Sequence, residues 1–133
     1  MTTIEVAKET TRILLVDDEP AILEVLRQAL LAEGFEVETA ANGIEAVKRA
    51  KGQLFDLVLT DMIMPEMDGI QTILELRAVH PGIRIIAMSG GVSSAGGDFL
   101  PLARQLGAQT VLRKPFEYAV FMDSVRDALC VAA

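Results

Sequence analysis

One cysteine, one histidine, one tyrosine and no tryptophan occur among 133 residues. A lone thiol, Cys130, closes no internal disulfide and assembles no zinc cluster, so cysteine usage fits a reducing cytoplasm. A lone imidazole, His80, excludes a histidine-rich metal centre. Basic side chains are few: 12 against 19 acidic ones, for a net charge of −7 and a pI near 4.6. Without a basic face, non-specific nucleic-acid binding and attachment to an anionic membrane surface are both disfavoured. No apolar run approaches the ~18 residues of a membrane span. The opening Met1–Glu5 has neither the basic flank nor the apolar stretch of a secretory signal.

What remains is ordinary globular chemistry, with 51% apolar and 23% charged residues. The length suits one domain, able to remove about two-thirds of its unfolded surface from water without a disulfide or metal. Residues 1–11 are polar and unpatterned and are expected to form a flexible leader; residues 12–130 are expected to form the domain. Short apolar runs at Ile13–Val16, Leu57–Leu59, Ile83–Met88 and Thr110–Leu112 read as strands buried on both faces. Phe35–Thr39 alternates, as a strand with one wet face does.

Helical spacing separates these runs. Ile22, Leu23, Val25, Leu26, Ala29 and Leu30 follow Pro20 and stop at Gly34. Ile44, Ala46, Val47 and Ala50 end near Gly52, and Ile70, Ile73, Leu74 and Leu76 end before Pro81-Gly82. Leu102, Ala103 and Leu106 stop at Gly107. Phe116, Val120, Phe121, Val125 and Leu129 form a fifth helix, opened by Pro115. Five strand–helix units with buried strands imply an α/β fold: a parallel sheet with helices on both faces. The stretch 89–97, rich in glycine and serine, reads as a flexible loop after the fourth strand.

In an open parallel sheet, ligands bind at the carboxyl ends of the strands. The residues falling there are Asp17, Asp18 and Glu19 after the first strand, Asp61 after the third, Ser89 after the fourth and Lys114 after the fifth. Taken singly, each has a bland role. Asp18 or Glu19 suits a helix N-cap, Asp61 a turn, Ser89 a loop and Lys114 a solvated charge. Their joint placement after four different strands points to a site. Carboxylates crowded beside buried strands repel one another and lose hydration, so a cation is expected among them. An all-oxygen set suits Mg²⁺. His80, in the Val79–Gly82 turn, is read as exposed and structural. Met62, Met64 and Met67 are expected to shield the acid site rather than bind metal.

Val16-Asp17-Asp18-Glu19-Pro20, Leu59-Thr60-Asp61-Met62-Ile63-Met64-Pro65 with Met67-Asp68-Gly69, Met88-Ser89-Gly90, and Lys114-Pro115-Phe116 together resemble the receiver domain of two-component response regulators, of the stand-alone, single-domain type. The resemblance spans about residues 12–129. It implies a doubly wound (βα)5 flavodoxin-like sandwich with strand order 2-1-3-4-5. It implies that Asp61 is the phosphoacceptor and that Asp18, Asp61 and the backbone carbonyl of Ile63 bind Mg²⁺, with Asp17 reaching the ion through water. Ser89 would hydrogen-bond the phosphoryl group, Lys114 would pair with one of its oxygens, and Pro115 would follow a cis peptide bond.

The donor would be a histidine kinase or a histidine phosphotransfer protein. The output would be altered binding of a downstream protein, through the face made by the fourth helix, fifth strand and fifth helix. Such a chain is no enzyme beyond promoting its own phosphorylation and dephosphorylation, and is expected to be a cytoplasmic monomer or weak dimer. Two positions depart from the family. Val111 stands where an aromatic residue often reports phosphorylation, so the signal must travel otherwise. Gly90 stands where alanine is common, which suggests a backbone rearrangement of loop 89–97.

Three other readings stay open. An aspartyl-nucleophile phosphatase uses similar chemistry, but usually carries Asp-x-Asp where Asp17-Asp18-Glu19 stands. A nucleotide or flavin module would need a phosphate cradle where these acids repel phosphate. A receiver-like binding module independent of phosphorylation would have no need of the full acid set.

Overall fold

Runs of branched apolar residues become strands because their side chains fill both faces of a pleated surface. In the computed structural model, which describes residues 11–62, 68–89 and 100–130, the strands are β1 (Arg12–Val16), β2 (Glu36–Ala40), β3 (Leu57–Asp61), β4 (Arg84–Ser89) and β5 (Thr110–Arg113). The helices are α1 (Pro20–Ala32), α2 (Gly43–Gly52), α3 (Gly69–Val79), α4 (Leu100–Gln105) and α5 (Tyr118–Cys130). All ladders are parallel, in the order β2-β1-β3-β4-β5. The alternating βα pattern and the expected strand order are both observed. Leader residues 1–10, Ile63, Met64, Met67 and loop positions 90–97 lie outside the described residues.

Side-chain alternation along the strands divides the core into two layers. Leu14, Val16, Val58, Ile85 and Ala87 face α2, α3 and α4, meeting Ala46, Val47, Ile73, Leu76 and Ala103. Ile13, Leu15, Leu57, Leu59, Ile86 and Met88 face α1 and α5, meeting Leu26, Leu30, Phe121 and Val125. The three central strands β1, β3 and β4 are therefore covered on both sides, as their apolar runs require. No helix among the described residues is long and apolar enough to cross a membrane.

The stop signals act by backbone geometry. Gly34 has φ +93°, and the amides of Gly34 and Phe35 turn back to Leu31 O and Leu30 O at 3.0 and 3.2 Å, satisfying the last carbonyls of α1. Gly107, at φ +108°, ends α4 in the same way, with Ala108 N donating to Ala103 O at 3.0 Å.

Four sequence expectations are corrected. Pro115 does not open the last helix, which begins at Tyr118; the Lys114–Pro115 bond is cis, and Phe116 lies in the connection, stacked on Phe121 with centroids 5.6 Å apart. Strand β2 does not alternate cleanly, because Glu38 is half-buried under an ion pair with Arg49 at 3.0 Å. His80 is half-buried rather than exposed, with its amide ending α3 on Leu76 O at 2.8 Å. Val25, read as part of an apolar stripe, is 66% exposed.

Arg77 ties three segments together. Its guanidinium donates to Leu106 O and Pro81 O, each at 3.1 Å, and also to Gly107 O. A Cβ on Gly107 would stand 2.7 Å from that guanidinium. Truncating Arg77 leaves these carbonyls to water or to no partner. Arg77→Ala is expected to cost about 1–2 kcal/mol in urea denaturation. Arg77→Lys should recover less than half of the loss, because an ammonium cannot reproduce the planar fork.

Candidate functional site

Four strand ends deliver the site. Asp17 directly follows β1 and is fully buried, Asp61 is the last residue of β3 and 6% exposed, and Ser89 is the last residue of β4 and fully buried. Asp18 projects into solvent. Lys114 follows β5, and its amide donates to Ser89 O at 2.7 Å. That bond continues the β4–β5 ladder beyond Ser89 and Arg113 and fixes where the lysine side chain departs.

Local hydrogen bonds orient the acids. Asp17 N donates to Ala40 O at 3.2 Å, while Asp17 Oδ1 accepts from Glu19 N at 3.0 Å. Asp17, not the N-cap Glu19, therefore satisfies an amide at the start of α1; Glu19 makes no side-chain cap bond. The bland capping role for Asp18 and Glu19 thus finds no support. Asp61 Oδ1 accepts from Met62 N at 2.8 Å, and the same amide donates to Met88 O at 2.8 Å. Met62 itself is buried in the layer under α3; Met64 and Met67 are outside the described residues, as is Ile63.

Lys114 Nζ lies 2.6 Å from Asp17 Oδ2 and 3.4 Å from Asp61 Oδ2, with its side chain 14% exposed. Burial on its own would pull the ammonium pKa down; the Asp17 hydrogen bond and the charges of Asp61 and Asp17 outweigh it and hold the pKa above the usual lysine value. The lysine is thus a fixed cation at this edge. One positive charge leaves the acids in excess. Asp17, Asp18 and Asp61 each bring a carboxylate oxygen within 4.8 Å of the others. Hard oxygen donors at this spacing, two buried and one facing water, fit Mg²⁺, which takes few carboxylates and keeps part of its hydration.

Sequence reasoning missed one feature. A cavity of about 490 Å³ opens beside the acids, lined by Ile22, Val25, Leu26, Pro115 and Phe116, with Glu19 and Lys114 at its polar end. Its residues come from two distant segments. Val25 and Phe116 both passed for core positions of their helices, so only the packing of α1 against the β5–α5 connection exposes it.

The family model for the response regulator receiver domain matches residues 13–126. The chain belongs to the response regulator receiver domains. It is 35% identical to sporulation initiation phosphotransferase F of Bacillus subtilis, over 89% of this chain and 90% of that protein. It is also 35% identical to the transcriptional regulatory protein GlrR of Escherichia coli, over 88% of this chain but only 26% of GlrR. The chain thus spans about a quarter of that regulator.

Among solved structures, a CheY-like receiver domain from Methanospirillum hungatei superposes with TM-score 0.83 at 30% identity, covering 91% of this chain and 94% of that one. Response regulator TrrA of Thermotoga maritima, crystallised with Mg²⁺ and BeF, gives TM-score 0.79 at 32% identity, covering 90% of this chain and all of TrrA. A receiver domain is a phosphorylation-dependent switch of two-component signalling, with Mg²⁺ as its cofactor and histidine kinases or phosphotransfer proteins as its partners. The acid cluster of this receiver offers the carboxylate oxygens that such an ion takes.

Proposed function

We propose that this receiver, residues 12–130, takes a phosphoryl group onto Asp61 and changes its protein contacts in response. Asp18 and Asp61, with the backbone carbonyl of Ile63, would hold Mg²⁺, and Asp17 would support the ion indirectly. The ion supplies charge stabilisation for the transferring phosphoryl oxygens. A carboxylate oxygen of Asp61 forms a bond to phosphorus as the bond from phosphorus to the donor imidazole nitrogen breaks, and the nitrogen keeps the electron pair. Lys114 pairs with one phosphoryl oxygen and Ser89 hydrogen-bonds another. Little beyond alignment and charge is required of the protein in such a transfer. Water later cleaves the acyl phosphate, releasing inorganic phosphate and restoring the carboxylate.

The observation that carries this reading is the bridge of Lys114 between two buried carboxylates, with the exposed Asp18 completing the oxygen set. The added group brings about −1.5 to −2 charges into this edge. Ser89 lies one residue pair from Lys114 across β4–β5, so a pull on its hydroxyl acts at the start of the β4–α4 connection. Val111 is half-buried and packed on the core, and its short side chain offers no aromatic toggle. The output face is the one formed by α4, β5 and α5, where Leu102, Tyr118 and Val120 are exposed apolar side chains.

The donor is a histidine kinase or a phosphotransfer protein, and the receptor is a downstream protein rather than nucleic acid or membrane. The protein acts in the cytoplasm as a monomer or weak dimer. It catalyses only its own phosphorylation and dephosphorylation. Incubation with a small phosphodonor and Mg²⁺ should add one phosphoryl group by intact-mass spectrometry. EDTA should abolish the addition, and hydroxylamine, which cleaves acyl phosphates, should reverse it. Turnover of a phosphomonoester many times over would instead indicate a phosphatase.

A further inference from the structure

We propose that Gly69, through its contact with Met62, is a positioning residue for the Asp61 carboxylate; this rests on the reading of Asp61 as phosphoacceptor. The carboxylate is aimed by the peptide that follows it, since Asp61 Oδ1 accepts from Met62 N at 2.8 Å. That peptide is held from one side by β4, where Met88 O accepts from the same amide at 2.8 Å. It is held from the other side by the first residue of α3: Gly69 N donates to Met62 O at 3.0 Å.

The approach leaves no room for a side chain. A Cβ on Gly69 would lie 2.4 Å from Met62 Cα, 2.7 Å from Asp61 O and 2.8 Å from Met62 Sδ. The sulfur could swing aside, but the other two are main-chain atoms. Helix α3 cannot retreat easily either. Asp68 caps it on Gln71 N at 2.9 Å, Thr72 Oγ1 donates to Asp68 O at 2.8 Å, and Ile73 and Leu76 are fully buried. The end of β3 must therefore move, and with it the amide that aims Asp61. The glycine is required for space, not for an unusual φ.

Helix propensity argues in the opposite direction, because alanine is the better helix former. The two effects separate in experiment. Gly69→Ala should weaken Mg²⁺ binding by calorimetry at least about tenfold and slow phosphorylation by a small phosphodonor about 10²-fold, the loss that misplacement near 1 Å produces. The slow rate should persist at saturating Mg²⁺, and the Met62 amide resonance should shift in the metal-free protein. Gly52→Ala, at a helix end where nothing lies within 4 Å of the added Cβ, should match wild type in both measurements. Mg²⁺ affinity and rate within about twofold of wild type for Gly69→Ala would overturn the proposal.

A second measurement needs no variant. In the wild type, Mg²⁺ alone should slow exchange of the Gly69 amide at least about tenfold, since fixing Asp61 also fixes Met62. The Gly52 amide should not change. Equal Gly69 exchange with and without Mg²⁺ would sink the idea even if Gly69→Ala does not fold. A wild type that gains no phosphoryl group defeats the Asp61 reading instead, and the Mg²⁺ affinities then still decide whether Gly69 positions the carboxylate.

Discussion

Replacing Lys114 by methionine should push three properties in different directions. In EDTA the variant should lose about 3 kcal/mol of stability in urea denaturation, because Asp17 stays fully buried without the ammonium now 2.6 Å from its Oδ2. Removing one partner of a buried ion pair leaves the other charge uncompensated, which is the expensive way to break it. Mg²⁺ should bind roughly tenfold more tightly, because a competing positive charge has left the carboxylates. The added ion should return most of the lost stability by mass action. Phosphorylation by a small donor should nevertheless slow by about 10²-fold, the usual effect of deleting one charge aimed at a reacting oxygen. Methionine keeps the length of the apolar stem, so the cavity that Lys114 lines with Pro115 and Phe116 keeps its apolar wall. Weaker Mg²⁺ binding together with an unchanged rate would show that Lys114 serves the fold alone.

The opposite signs of these effects arise from an arrangement that was largely legible in the residues. Ile13–Val16 and Leu57–Leu59 are apolar without interruption, which only a strand covered on both faces tolerates. The polar residues that end those runs then had to emerge at one edge of a parallel sheet. Legibility failed where a contact depends on two segments far apart in sequence. Val25 and Phe116 carry the right spacing for helix interiors, yet both line an open cavity. The start of the fifth helix was placed too early because proline is a good first residue of a helix, whereas Pro115 and Phe116 here form the connection after β5. Gly69 was visible as part of a motif, but its reason, a Cβ falling 2.4 Å from Met62 Cα, is a distance no spacing rule contains. Glu38 fooled the alternation of β2 for a related reason: its charge is neutralised by Arg49 on the next helix.

Asp61→Asn should abolish phosphoryl gain and yet make the metal-free protein more stable. Asparagine keeps an oxygen for the Met62 amide, now 2.8 Å from Asp61 Oδ1, so the end of β3 has no cause to move. The amide nitrogen replaces Oδ2 and forfeits the longer of the two Lys114 contacts, 3.4 Å against 2.6 Å. In return, one of three carboxylates crowded within 4.8 Å is neutralised, and the remaining pair shares the whole of the lysine charge. Repulsion among buried acids exceeds what a long ion pair returns, so the net gain in EDTA at low salt should be about 1 kcal/mol. The gain should shrink in Mg²⁺, because the wild type binds the ion and the variant binds it weakly. An uncharged amide is too poor a nucleophile to attack phosphorus, so intact mass should stay constant with any donor. If a phosphoryl group still appears and resists hydroxylamine, the acceptor is a hydroxyl, and Asp61 is only a ligand. A variant more stable without metal but unable to react would show that the crowding of acids is maintained for chemistry, at a cost to the resting fold.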